Sequence, residues 1–140
     1  MRSLDQYEDQ LREAGQFVTV QRRAMLRFLL RHQTHPTAAE VAAAIVGRSR
    51  SASLATIYNN LALFSALGIV RSVRSPDGDI HWDVRTDHHH HLSCTRCGGM
   101  TDIDGEKAEV VVRDPIVARR VEQAQIWFAG RCERCAQSKD

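Results

Sequence analysis

The chain has 140 residues, 43% of them apolar and 26% charged, with eight Gly, three Pro and four Cys, a composition that excludes disorder, collagen-like repeats and a dense disulfide scaffold. Compact folding at this length hides about 68% of the unfolded surface, which suits one medium domain or two small ones. The net charge of +2 divides unevenly: residues 1–75 carry ten Arg against five acidic residues, and residues 76–140 carry nine Lys or Arg against twelve, so the first part can face a polyanion and the second a cation.

Leu4, Tyr7 and Leu11 recur at helical spacing before Gly15, which predicts a short amphipathic helix over residues 4–14. Thr19 can cap a second helix running to Arg31, with Ala24, Met25, Phe28 and Leu29 on its apolar face and Arg22, Arg23 and Arg27 displayed. Thr37-Ala38-Ala39-Glu40 is a capping box for a third helix whose buried stripe includes Val41 and Ile45 and whose end falls near Gly47. Ser53 caps a fourth, where Ile57, Leu61 and Phe64 face inward, Thr56, Tyr58 and Asn59 face outward, and Gly68 is the stop. Ile69 to Arg74 and Ile80 to Val84 are strand-like runs around a Pro76-Asp77-Gly78 turn.

Helices followed by a hairpin is the order of a winged helix, in which the last helix enters the major groove of DNA. Asn59 can pair with an adenine edge and Tyr58 can reach a phosphate or a thymine methyl, while Arg22, Arg23, Arg48, Arg50 and Arg74 can neutralise phosphates. A helical bundle with a polar outer face is the competing explanation for the same pattern.

The four cysteines form two matched pairs, Cys94-Thr95-Arg96-Cys97 and Cys132-Glu133-Arg134-Cys135, separated by 34 residues. Two such knuckles brought together make a closed tetrahedral thiolate shell, the donor set of structural zinc. Two disulfides and a thioredoxin-like redox pair are the alternatives, disfavoured by compartment and by the missing strand-helix-strand context. No apolar run reaches a membrane span of about 18 residues. Asp5, Glu8 and Asp9 stand where a secretory signal would be apolar, so a cytoplasmic chain with reduced thiols is expected. Upstream of the first knuckle, Asp87 precedes His88 to His91 on a segment that reads as a strand, so His89 and His91 share one side and His88 and His90 the other. Flanked by Asp83, Asp87 and Asp102, these imidazoles point to a transition-metal site.

Thr19-Val20-Gln21-Arg22, His35-Pro36-Thr37-Ala38, Leu54 to Leu61, His88 to Gly98 and Gly130 to Cys135 together resemble the Fur family of metal-dependent transcription regulators, and within it the peroxide-sensing PerR branch. The resemblance implies an α+β fold. An N-terminal winged-helix DNA-binding domain over residues 1–84 is hinged to a C-terminal α/β dimerisation domain over residues 85–140, whose structural Zn2+ is held by Cys94, Cys97, Cys132 and Cys135. It implies a regulatory Fe2+ or Mn2+ on His35, Asp83, His89, His91 and Asp102, a homodimer, and a palindromic double-stranded DNA operator contacted by Arg22, Thr56, Tyr58, Asn59 and Arg74. Asp102 matches the peroxide-sensing branch, where iron-uptake regulators carry Glu; His35 and His89 are then the residues expected to be oxidised by peroxide.

Several positions depart from the family pattern. Val20 replaces the usual proline after Thr19. His88, His90 and Glu109 could build an additional metal site, although Gln123 and Gln125 stand where relatives with that site supply histidine. Pro115 and Val110 to Val112 make residues 106–120 a poor dimerisation helix, and Ile126 to Ala129 reads as an interface or core strand. Among other functions, a metal-homeostasis regulator of the same family is the nearest rival. A metallohydrolase lacks His-Glu-x-x-His and any base or nucleophile triad, and a redox enzyme needs unmasked thiols, so a regulator rather than an enzyme is expected.

Overall fold

The computed structural model of the chain describes residues 2–46, 53–122 and 126–138. Arg48 and Arg50, the helix stop Gly47, and Gln123 and Gln125 lie outside the described residues. The chain divides into two compact units, residues 1–86 and 87–140, built of mixed helix and sheet.

In the first unit, α1 (Leu4–Glu13) starts at Ser3, whose hydroxyl and the Gln6 side chain satisfy each other's backbone amides. Gly15 then takes a positive φ of 72°, the left-handed turn that ends the helix. Thr19 caps α2 (Val20–Arg31) by accepting from the Arg22 amide, so the missing N1 proline at Val20 leaves the cap intact. The Thr37–Glu40 box opens α3 (Ala38–Val46): Glu40 N–H donates to the Thr37 hydroxyl at 3.2 Å, and the Glu40 carboxylate accepts from Thr37 N–H at 2.7 Å. Ser53 caps α4 (Leu54–Ala66). Tyr7, Leu11, Met25, Leu26, Leu29, Val41, Ile45, Ile57, Leu61 and Phe64 from the four helices bury one apolar core with Ile69, Val70, Trp82 and Val84 of the following segment.

That segment is a hairpin of β1 (Arg71–Arg74) and β2 (Ile80–Asp83), paired antiparallel with Arg71 opposite Asp83 and Val73 opposite His81. It is tied to the loop before α3 by the Trp82 amide, which donates to the Pro36 carbonyl at 2.9 Å, and by a bridge between Thr37 and His81. Helices packed on one core with a hairpin after the last of them is the winged-helix arrangement.

The second unit is a three-stranded sheet in the order β4-β3-β5. The central strand β3 (His89–Cys94) runs antiparallel to β4 (Met100–Asp104) and parallel to β5 (Trp127–Gly130). Between β4 and β5, residues 105–107 make a 3-10 turn, and α5 (Pro115–Ala118) is a single turn capped by Asp114 with Pro115 at its first position. The last element, α6 (Glu133–Gln137), carries Cys135. None of the described helices is long and apolar enough to cross a membrane.

Candidate metal centres

Cys94 ends β3, Cys97 follows in the turn to β4, and Cys132 and Cys135 sit at the cap and within α6. Each Cys-x-x-Cys is a knuckle, and the parallel pairing of β3 with β5 delivers the second knuckle to the first through Cys94 opposite Gly130. The four sulfurs lie within 4.8 Å of one another, all as free thiols, with Cys97 Sγ 3.8 Å from Cys132 Sγ. A tetrahedron with metal–sulfur bonds of about 2.3 Å has edges of about 3.8 Å, so the spacing fits zinc. Backbone amides prepare the shell for thiolate charge. The Cys132 amide, 3.3 Å from Cys94 Sγ, leads the knuckle amides that pull the Cys94 thiol down to about 5. The Gly99 amide lowers Cys97, whereas Cys135, hydrogen-bonded to the Cys132 sulfur and desolvated, is pushed up to about 12.

The second donor set of this unit lies on β3. Strand alternation puts His89 and His91 on one face, with Nε2 atoms 3.1 Å apart, and His88 and His90 on the other, with ring centroids 5.0 Å apart. Asp102, directly across from His91 on β4, brings Oδ1 within 3.5 Å of His89 Nε2 and 3.8 Å of His91 Nε2. His89 Nδ1 faces the Asp87 carbonyl at 2.9 Å and therefore carries the proton, which leaves Nε2 as the lone-pair atom. His91 is fixed by Trp127, whose ring stacks on it at 5.1 Å. A carboxylate oxygen from β4 and a lone-pair nitrogen from the buried start of β3 suit a borderline-hard divalent cation such as Fe(II) or Mn(II).

The first unit offers its own pair. His35 and Asp83 are both buried, with His35 Nε2 3.7 Å from Asp83 Oδ2. Arg71, opposite Asp83 across the hairpin, brings Nε to 3.5 Å from the same oxygen, and the Arg85 amide donates to Asp83 Oδ1 at 2.7 Å. Carboxylate orientation is thus fixed from two sides.

His88, His90 and Glu109 do not gather into a ligand cluster among the described residues. His90 Nε2 is instead 2.9 Å from the Ala108 carbonyl, and the His88 ring packs on Gly105, where an added Cβ would come within 2.6 Å. Strand parity alone puts two histidines on that face, but the chain after Gly105 turns Glu109 into solvent.

On the first unit's outer face, Tyr58 and Asn59 are exposed on α4, and Thr56 is half-buried with its hydroxyl 2.8 Å from that of Ser53. Arg74 is exposed on β1 and donates to the Gly78 carbonyl at 3.0 Å. Arg22 differs from the expectation of a displayed arginine. Its guanidinium donates to Asn60 Oδ1 at 2.9 Å and to the Phe17 carbonyl at 2.7 Å, so it braces α4 against the start of α2. Arg23 is likewise engaged, its fork donating to the buried Glu8 carboxylate at 2.5 and 2.8 Å. Helical spacing places both arginines off the apolar stripe but carries no signal that partners lie on other helices. His81 belongs to no motif, yet its Nδ1 lies 2.7 Å from the His35 carbonyl; the period of two along β2, which gives His81 the same side as Asp83, is the one sequence signal that points to it.

The sequence model of the ferric uptake regulator family matches residues 13–126. The chain is 42% identical over 92 residues to the peroxide-responsive repressor PerR of Staphylococcus aureus, a stretch spanning 66% of this chain and 62% of that relative's length. Among solved structures, the Campylobacter jejuni peroxide stress regulator is similar at 26% identity and a TM-score of 0.63, covering 96% of this chain and all of that one. The Helicobacter pylori ferric uptake regulator shares the fold at 16% identity and a TM-score of 0.70, covering 99% and 97% of the two chains.

Proposed function

The chain belongs to the ferric uptake regulator family, and from that premise we propose that it is a metal-dependent, DNA-binding transcriptional repressor that senses hydrogen peroxide by oxidation of its own histidines. In this reading Cys94, Cys97, Cys132 and Cys135 hold a structural zinc, a closed shell with no position open to substrate. His35 and Asp83 from the first unit and His89, His91 and Asp102 from the second are the ligands of one regulatory Fe(II) or Mn(II). The observation that carries it is the donor chemistry: each unit contributes buried imidazole together with a carboxylate, fully buried at Asp83 and half-buried at Asp102, with His89 held in the tautomer that leaves Nε2 for a cation.

A ligand set divided between two units makes cation binding favour one arrangement of them. In a homodimer that arrangement fixes the separation of two α4 helices, which must match half-sites one or more helical turns apart. Tyr58 and Asn59 are the side chains we assign to base edges, with Thr56 and Arg74 on the backbone, while Arg22 contributes by bracing α4 through Asn60. Fe(II), when bound, would supply the one-electron chemistry that converts peroxide into an oxidant of a neighbouring imidazole, and Mn(II) would not. One peroxide oxygen would add to the ring of His35 or His89 while the other leaves as water, the ring returning to the iron the electron that the metal first gave up; the oxidised ring would lose its lone pair as a ligand and release the arrangement that grips the operator.

Mass spectrometry after mild peroxide tests this reading. The Fe(II)-loaded protein is expected to gain one oxygen on the peptide holding His35 or His89, the Mn(II)-loaded protein is not, and Asp102→Glu should blunt the gain while DNA binding persists. Metal-dependent DNA binding without oxygen uptake would instead make the chain an iron, manganese or zinc homeostasis regulator.

A further inference from the structure

His35 has an unusual backbone. Its φ of 52° makes it the one non-glycine residue with positive φ among those described. It also precedes Pro36, and a proline ring drives the residue before it toward extended conformations. A residue held in the left-handed region against both preferences persists only where its surroundings over-determine it, and such residues cluster at functional sites.

The surroundings here are the hairpin. Trp82 N–H donates to the Pro36 carbonyl at 2.9 Å, and Thr37 bridges to His81, so backbone ties secure the loop just after His35. A side chain also ties the His35 peptide: His81 Nδ1 lies 2.7 Å from the His35 carbonyl oxygen. Because the facing atom is a pure acceptor, Nδ1 carries the proton and donates. His81 stands two residues before Asp83 on β2 and opposite Val73 on β1, so one short strand supplies both the carboxylate and the group that orients the imidazole facing it at 3.7 Å.

We propose that His81 is a positioning residue for the regulatory metal: its Nδ1–H holds the His35 peptide in the left-handed turn that aims the His35 imidazole at Asp83, and so sets the affinity of the site. The inference rests on the reading of His35 and Asp83 as ligands given above. Removing the donor leaves the backbone ties of Pro36 and Thr37 in place, but frees the peptide before them to rotate and carry the imidazole off the Asp83 carboxylate. Groups that orient a metal ligand in this way typically govern affinity by about 10–100-fold.

The test compares His81→Leu, which removes the donor, with His81→Asn, whose Nδ2 falls where the imidazole Nδ1 lies. Full-length, zinc-loaded protein is titrated with Mn(II), and free Mn(II) is read by electron paramagnetic resonance; zinc content and the melting temperature without Mn(II) are measured alongside. His81→Leu should bind Mn(II) about 10–100-fold more weakly. His81→Asn should bind close to wild type, and all three proteins should share the same zinc content and melting temperature. Unchanged binding by His81→Leu, equal weakening by Leu and Asn, or a melting temperature that falls together with affinity would each overturn the proposal. His35→Ala is the parallel control: if it binds Mn(II) as well as wild type, the ligand reading fails first and takes the His81 assignment with it, an outcome distinct from a silent His81→Leu beside a defective His35→Ala.

Discussion

The two units keep different things inside. The first buries a continuous apolar cluster from Tyr7 to Val84, with Leu11, Met25, Val41, Ile57, Leu61 and Phe64 all fully enclosed. In the second, the buried side chains among the described residues are His89, His90, His91, Cys94 and Cys135, while Val110, Val111, Val112, Ile116 and Val117 are exposed. One interior is made by excluding water from carbon, the other from donor atoms that favour a cation. The first unit should therefore stand by itself, and the second should depend on metal for its fold.

The largest effect should come from breaking the second interior. Metal contributes about 10–16 kcal/mol in small zinc peptides at neutral pH, far more than a thin three-stranded sheet can replace. Stripping zinc with a chelator, or replacing Cys97 with Ser, should abolish amide-exchange protection across His89–Cys94 and Met100–Asp104 while α2 and α4 keep theirs. Protection retained in the second unit would remove the contrast. Phe64→Ala makes the reciprocal cut. Emptying that enclosed site should cost the first unit about 3–5 kcal/mol in denaturant unfolding and leave zinc content untouched.

A smaller effect sharpens the picture of the first interior, which is not purely apolar. Glu8 is buried and bonded by Arg23, and that guanidinium holds its carboxyl below the usual carboxylate range. A depressed folded-state value means stability that is present above the unfolded carboxylate pKa and lost as pH falls through the folded one. Glu8→Gln should cost about 1–3 kcal/mol at neutral pH, and the gap to wild type should close on acidification. A gap constant down to strongly acidic pH would show that the cost does not come from the ionised carboxylate.

Local signals made the helices and knuckles legible in the sequence. Ser3 was the exception among the caps, but Thr19, the Thr37–Glu40 box and Ser53 all mark their helices by short-range chemistry, and the matched Cys-x-x-Cys pairs declare a four-sulfur shell. Strand parity likewise separates His89 and His91 from His88 and His90. What escaped was set by register and tertiary pairing. Arg22 and Arg23 read as displayed charge, yet their partners, Asn60 and Glu8, lie on other helices 38 and 15 residues away. His81 reaches His35 only because the hairpin folds back on the loop before α3, a contact of sequence separation 46; the period of two along β2 gives its side but not its partner. His88, His90 and Glu109 are not gathered among the described residues for the same kind of reason, since the path of the chain after Gly105 decides where Glu109 goes.

Affinity for DNA with and without the regulatory cation tests the account most directly. Duplexes are selected from a random pool by the zinc-loaded, Mn(II)-bound protein, and the winner is titrated at one fixed salt concentration with Mn(II) present and with Mn(II) removed while zinc is retained. Coupling between the two ligands of about 1–3 kcal/mol predicts binding tighter by about 5–150-fold when Mn(II) is present. Equal affinity in the two states, on the same duplex and with the same zinc content, would contradict it.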